Sequence, residues 1–214
     1  MWPLILGLQR ASEGPGHHAP MASCIKSVTL VDRLVRGVTL IELLVTLAVA
    51  AILAMIAAPG LHSTLAARAV SSTADDLAVA LRQARSEALK RGLSVSVCAS
   101  SDPNATGAVC ANNAWVTGWL VFTDQNSNGD LGAGDQLIRA FTAGKSVSSI
   151  TESGGQSFAT FMPNGLLKGG THLQWDVASK LSSDSPGYAA ALRTVCLNLA
   201  GRAKIMMGQD QVCP

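Results

Sequence analysis

One apolar segment constrains the fold of this chain more than any other feature. Residues 38–58 contain a single charged side chain, that of Glu42. A helix of this length spans about 30 Å, the thickness of a bilayer core. Because Lys26, Arg33 and Arg36 precede the segment, the positive-inside rule places the amino terminus in the cytoplasm. The chain is therefore predicted to cross a membrane once and to expose its remainder outside the cytoplasm.

Glu42 is unexpected in such a segment. A carboxylate at the centre of a bilayer costs about 2.5–3.5 kcal/mol on the most lenient scale. Such a charge is tolerated when an opposite charge compensates it. Two interpretations follow: a plain single-span anchor with an isolated glutamate, or a segment whose Glu42 meets a cation.

The residues around Glu42 resemble the amino-terminal signature of type IV pilins and pseudopilins. In RGVTLIELL, residues 36–44, a basic leader ends at Gly37 and a short motif leads into the apolar helix. The resemblance implies cleavage between Gly37 and Val38 by prepilin peptidase, followed by N-methylation of Val38. It also implies that Glu42 contacts the free amino terminus of a neighbouring subunit. Val38 departs from the family, which most often has phenylalanine there.

These features divide the chain into four segments. Residues 1–37 are predicted to be the leader, with Met21 as the expected true start, and residues 38–59 to be the transmembrane and assembly helix. Residues 60–92 continue this helix as an amphipathic half, and residues 93–214 form a periplasmic β-rich domain.

The amphipathic half has apolar residues at intervals of three and four, typical of a helix with one buried face. Gly92 follows Lys90 and Arg91 and is expected to end the helix, whereas Pro59 and Gly60 are expected to bend it. The predicted buried face consists of Val70, Ala74, Leu77, Leu81, Ala84 and Ala88.

The remainder of the chain predicts an α+β fold. Five short segments rich in β-forming residues are separated by turn residues: LSVSVCA, GWLVFTD, QLIRAF, SFATFMPNG and RTVCLNLA. We expect an antiparallel sheet packed on the long amino-terminal helix. Residues 115–141 and CLNLAGRAKI, residues 196–205, resemble the GspH/FimT branch of pilin-like proteins.

The cysteines predict two disulfides. Cys24 lies in the leader, which leaves Cys98, Cys110, Cys196 and Cys213 in an oxidising compartment. Three pairings are open. We favour pairing the first two and the last two, because each pair is close in sequence. A zinc site is the alternative, but no C-x-x-C pair occurs and His62 and His172 are isolated.

The segment DQNSNGDLGAGD, residues 124–135, matches the spacing of a calcium-binding EF-hand loop, with Asp in place of the final Glu. The candidate ligands are Asp124, Asn126, Asn128, Asp130 and Asp135. The flanking segments are predicted strands rather than helices, so we favour a polar hairpin loop.

Basic residues near the carboxyl terminus are a candidate DNA-binding site. The GRAK segment, Gly201 to Lys204, resembles the Gly-Arg-x-Arg element with which some FimT-like minor pilins bind DNA; Arg202, Lys204 and Arg193 are the candidate contacts. Lysine at the last place keeps the charge but lacks a bidentate fork. The alternative is a charged strand edge that prevents aggregation. Trp115, Trp119 and Trp175 could stack on bases, but such residues are more often core or interface anchors in a small β domain.

No enzyme motif or cofactor site is evident, and we expect a structural protein. Acidic and basic residues are equal in number from Val38 onward, so no overall basic field indicates nucleic acid. The resemblance implies an inner-membrane subunit of a type II secretion pseudopilus or type IV pilus. Its partners would be other pilins, the inner-membrane assembly platform and prepilin peptidase. The alternative is a DNA-binding minor pilin acting in DNA uptake.

Overall fold

A computed structural model describes residues 37–185 and 187–208, together with Gln211 and Cys213. The predicted leader up to residue 36, including Met21 and Cys24, lies outside the described residues. The described chain divides into two units: residues 37–43 belong to the first, and the residues from 44 onward form the second.

In the first unit, the described residues begin a helix. The hydroxyl oxygen of Thr39 accepts a hydrogen bond from the backbone N–H of Glu42 at 3.3 Å. This is the geometry of a Thr residue that caps a helix amino terminus, with Glu three positions later. Glu42 therefore occupies the first turn, where a negative charge suits the helix dipole.

Helix α1 comprises Leu40–Arg91. Among the described residues, no single helical run is long and apolar enough to cross a membrane. The segments Leu40–Ile56 and Gly60–Arg91, which meet at 44°, together meet that requirement by length and composition. The bend lies where Pro59 and Gly60 predicted it. All six residues of the predicted apolar face are fully buried.

Two four-stranded antiparallel sheets pack with α1 around one core. The first has the strand order β3-β2-β1-β5 and the second the order β4-β6-β7-β8. The strands are β1 Val95–Ala99, β2 Gly118–Thr123, β3 Leu137–Thr142, β4 Val147–Glu152, β5 Phe158–Phe161, β6 Leu173–Ser179, β7 Arg193–Leu197 and β8 Ala203–Met207; a short helix α2, Tyr188–Ala191, precedes β7. The predicted α+β class is confirmed.

Three tryptophans form the centre of the core. Trp115, Trp119 and Trp175 are at most 1% exposed. The rings of Trp115 and Trp175 meet edge to face at 5.4 Å, and Trp115 donates its indole N–H to the carbonyl oxygen of Gln156. Stacking of these rings on nucleic-acid bases, one of the two interpretations from the sequence, is therefore wrong.

Two disulfides join Cys98 to Cys110 and Cys196 to Cys213. They are the two pairs favoured from the sequence. The first lies at the side of the first sheet, where Cys98 belongs to β1. The second connects β7 to the carboxyl-terminal segment, with Cα atoms 5.5 Å apart.

Candidate functional sites

The amino-terminal part of α1 is an exposed apolar surface. Every residue from 37 to 56 is exposed, including Leu40 at 78% and Met55 at 77%. Glu42 lies within this stretch. Gly37 stands in open space, since a Cβ atom there would meet no atom within 4 Å. The segment predicted for cleavage and assembly is thus accessible to an enzyme or to other subunits.

The candidate calcium loop connects β2 and β3, both of them strands. Asp124 is fully buried. One of its carboxylate oxygens accepts hydrogen bonds from the Ser96 hydroxyl at 2.6 Å and the Gly129 N–H at 2.9 Å, and the other accepts from the Asn128 N–H at 3.0 Å. The Ser96 hydroxyl also contacts that of Thr160 at 2.7 Å. Asp124 therefore fixes the loop to the sheet.

The other candidate ligands of this loop also hold its backbone. Asn126 and Asn128 accept N–H groups two residues ahead, and Asp135 accepts the N–H groups of Gln125 and Gly132. Asp130 is exposed. No group of three or more His, Cys, Asp or Glu side chains suited to a metal occurs in the part of the chain that the structure describes. The geometry supports the hairpin-loop interpretation.

The GRAK segment lies at the end of the β7–β8 hairpin: Gly201 and Arg202 belong to the turn, and Ala203 and Lys204 begin β8. Its main-chain groups are bonded within the turn: the N–H of Gly201 donates to the carbonyl of Asn198, and the N–H of Arg202 donates to the side-chain oxygen of Asn198. The side chains of Arg202 and Lys204 are exposed. Within the described residues, neither has a carboxylate partner.

The structure does not bring the three predicted DNA contacts together. Arg193 pairs across the hairpin with Met207, at the end remote from Arg202, and its guanidinium donates to the carbonyls of Ala190 and Leu192. Lys204 is exposed, whereas its neighbours Ala203 and Ile205 pack on the core, so Lys204 points away from the core. The separation of Arg193 from Arg202 is set by the register of the β7–β8 pairing, which the sequence alone did not show.

Arg202 instead shares a groove with two arginines of α1. The groove has a volume of about 450 Å³ and is lined by Arg82, Arg85, Ser86, Leu89, Gly201, Arg202 and Ala203. We call it the arginine groove. Arg85 is half-buried, and its Nε donates to the carbonyl of Gly165 at 3.0 Å. Arg82 and Arg85 were not predicted as site residues from the sequence, although their spacing of three on a helix places them on one face.

Two carboxyl groups on α1 have shifted pKa values. The hydrogen bond from Arg91 holds the pKa of Glu87 below its ordinary value, and the charges of Arg91 and Lys90 add to this. Desolvation raises the pKa of Asp76, and the neighbouring charge of Asp75 raises it further. The negative charge of Glu87 is thus already paired with the positive charges of Lys90 and Arg91.

Comparison with known proteins is consistent with this architecture. Residues 32–58 match the prokaryotic N-terminal methylation motif, which marks the class of pilin-like proteins processed at their amino terminus. Residues 73–201, more than half of the chain, match the family described as type II transport protein GspH. The chain therefore belongs to the GspH family of minor pilins and pseudopilins. This family is a structural pilin type rather than an enzyme family.

Two crystal structures of the type IV minor pilin FimU from Pseudomonas aeruginosa strain PAO1 are also similar. The structure in space group P21 has 21% identity and a TM-score of 0.46, and covers 64% of this chain and 87% of FimU. The structure in space group P65 has 21% identity and a TM-score of 0.44, and covers 64% and 91%. Among curated proteins, none matches this chain. The family and the methylation motif indicate a membrane-anchored pilin that assembles with other pilins.

Proposed function

We propose that this chain is a structural minor subunit of a type II secretion pseudopilus or a type IV pilus. It is held in the inner membrane by the first half of α1, with the amino terminus in the cytoplasm and the β-rich domain in the periplasm. The exposed surface of residues 37–56 carries this proposal. So much apolar area is stable only in lipid or against other helices, and a pilin helix meets both environments in turn.

Processing precedes assembly in this proposal. Prepilin peptidase cuts between Gly37 and Val38, and N-methylation of Val38 follows. A bulky side chain at Gly37 has space in the folded chain, so Gly37→Leu should act on cleavage and not on folding. The expected result is an uncleaved chain that remains in the membrane and is absent from fibres. Normal fibres from this variant would contradict the proposal.

Glu42 connects processed subunits. Cleavage creates a free amino group at Val38. In a neighbouring subunit this group supplies the cation that the Glu42 carboxylate requires in an apolar environment. We expect Glu42→Ala and Glu42→Gln to be cleaved normally but to enter fibres poorly, and Glu42→Asp, which keeps the charge, to enter better than either. Immunoblots of sheared fibres and membranes would measure both steps. Incorporation of Glu42→Gln at the wild-type level would contradict the charge pairing.

DNA binding in uptake is the second candidate function. It is supported by the exposed cations of Arg202 and Lys204 at one hairpin, without a carboxylate partner in the described chain. Cations suffice for phosphate attraction. The full chain in a non-ionic detergent should bind labelled duplex DNA, with an affinity that falls as salt rises and falls again in the variant Arg202→Gln/Lys204→Gln. Absence of binding by the wild-type chain would leave the structural role alone.

A further inference from the structure

We propose that the arginine groove binds the phosphate backbone of nucleic acid, with Arg82 and Arg85 of α1 as contacts in addition to Arg202. This inference rests on DNA binding, the second candidate function above. It assigns to α1, which otherwise serves anchoring and packing, a direct part in ligand recognition.

Two arginine side chains of the groove are placed where both can reach one anion. Arg82 and Arg85 lie one turn apart on the same face of α1, about 4.5 Å along its axis. The bond from Arg85 Nε to the carbonyl of Gly165 orients this side chain, and no hydrogen bond to its Nη groups occurs within the described residues. A guanidinium group held in this way offers its two Nη groups as paired donors to phosphate oxygens.

The charge of the groove is not compensated by the described residues. Arg82 and Arg202 have no carboxylate partner there, and the nearby Glu87 is paired with Lys90 and Arg91. Three cations around one cavity repel each other unless an anion lies between them. Since acidic and basic residues balance over the mature chain, this is a local concentration of positive charge and not a general property of the surface.

The lining favours a phosphate backbone over an acidic peptide. A peptide gains much of its affinity from main-chain hydrogen bonds, but the main-chain N–H groups of Gly201 and Arg202 are already bonded to Asn198. None of the described residues that line the groove is aromatic, so they offer bases no stacking surface. Contacts from arginine side chains to phosphates alone would bind nucleic acid without reading its sequence.

The test compares two exposed arginines of the same helix. Arg82→Ala removes a cation of the arginine groove, and Arg68→Ala removes one from α1 outside it. Both side chains are exposed, and near-ultraviolet circular dichroism would verify that both variants fold. The full chain in non-ionic detergent is titrated with fluorescent duplex DNA of mixed sequence between about 50 and 200 mM salt.

We expect Arg82→Ala to weaken binding and to reduce the salt slope of log K by about 0.9, the value for one phosphate contact, while Arg68→Ala behaves like the wild type. Equal binding by Arg82→Ala and the wild type would overturn the proposal that the arginine groove binds phosphate, but not the proposal that the chain binds DNA. Failure of the wild type to bind would overturn both. Competition by polyglutamate as strong as that by DNA would overturn the phosphate assignment.

Discussion

Gly201 lies so close to Arg85 that a Cβ atom at Gly201 would be 3.0 Å from the Cδ atom of Arg85. It would also lie 2.5 Å from the carbonyl oxygen of Gly165, the acceptor of the Arg85 Nε–H. The φ angle of Gly201 is +71°, in the region that favours glycine. The backbone conformation and the close packing at position 201 therefore require glycine, whether or not the adjacent cations bind a ligand.

Replacement of Gly201 by alanine should destabilise the domain through both φ strain and close contact. Gly155 is the matched control, because it has the same φ of +71° but no atom within 4 Å of an added Cβ. We expect Gly155→Ala to cost about 1 kcal/mol of unfolding free energy and Gly201→Ala about 2–4 kcal/mol. Denaturant unfolding followed by tryptophan fluorescence would measure both unfolding free energies. Equal losses would contradict the close contact of Gly201 with Gly165 and Arg85.

Local features of the sequence predicted α1 well. The apolar periodicity of Val70 to Ala88 depends only on residues three or four apart, and these residues form the buried face. The strands β1, β2, β3, β5 and β7 are rich in apolar β-forming residues and coincide with predicted segments.

Non-local features were not predictable. Strand β4 reads VSSITE and has three polar residues on or near the surface, and β6 contains Gln174 and Asp176. Asp176 accepts a hydrogen bond from the hydroxyl of Thr194 on the neighbouring strand, which a single segment cannot reveal. The arginine groove joins residues about 120 positions apart in sequence, so only the packing of the hairpin on α1 assembles it.

Asp124 and Asp130 distinguish the hydrogen-bonded loop from a calcium site. Asp124→Ala removes the acceptor of three donors. The buried Gly129 N–H is left unpaired, which costs about 1–3 kcal/mol, whereas the Asn128 N–H keeps the Asn126 side chain and the Ser96 hydroxyl keeps that of Thr160. Asp130→Ala changes an exposed side chain of the same loop and should have little effect. We expect this difference in unfolding free energy in EDTA and in millimolar calcium alike. Stabilisation by calcium that both variants lose would instead support the EF-hand interpretation.

The disulfide between Cys196 and Cys213 should protect the carboxyl-terminal segment. It closes a loop with a sequence separation of 17, for which the chain-entropy model gives about 3 kcal/mol. We expect Cys196→Ser/Cys213→Ser to lower the unfolding free energy and to expose the carboxyl terminus to carboxypeptidase. Cys98→Ser/Cys110→Ser is the control, since it should leave that terminus protected.

Peptide mapping without reduction provides a direct measurement of the cysteine pairing. The part of the wild-type chain from Val38 onward should gain four hydrogens on reduction and yield cross-linked peptides that contain Cys98 with Cys110, and Cys196 with Cys213. Any other pair of cross-linked peptides, or free thiols in protein isolated under oxidising conditions, would contradict the structure. Zinc released on denaturation would support the rival site.

Glu87 and Asp76 should respond to pH with effects of opposite sign. The pKa of Glu87 is below its ordinary value of 4.5, so the folded state favours its charged form. Its contribution to stability is present above that value and is lost as pH falls through the lowered pKa. The pKa of Asp76 is above its ordinary value of 3.8. Its charge therefore destabilises the fold at neutral pH, and this penalty disappears as pH falls.

We accordingly expect Glu87→Gln to lower the Tm at pH 7 and Asp76→Asn to raise it. Both differences from the wild type should shrink as pH falls, because acid protonates the wild-type carboxyl groups and removes the charge that distinguishes them from the amides. The Tm difference between Asp76→Asn and the wild type should begin to shrink at a higher pH than that between Glu87→Gln and the wild type. Thermal unfolding of all three chains between pH 7 and pH 3 would measure this. A Tm change of the same sign for both variants at pH 7 would contradict the assigned causes: Arg91 and Lys90 for Glu87, and burial together with the charge of Asp75 for Asp76.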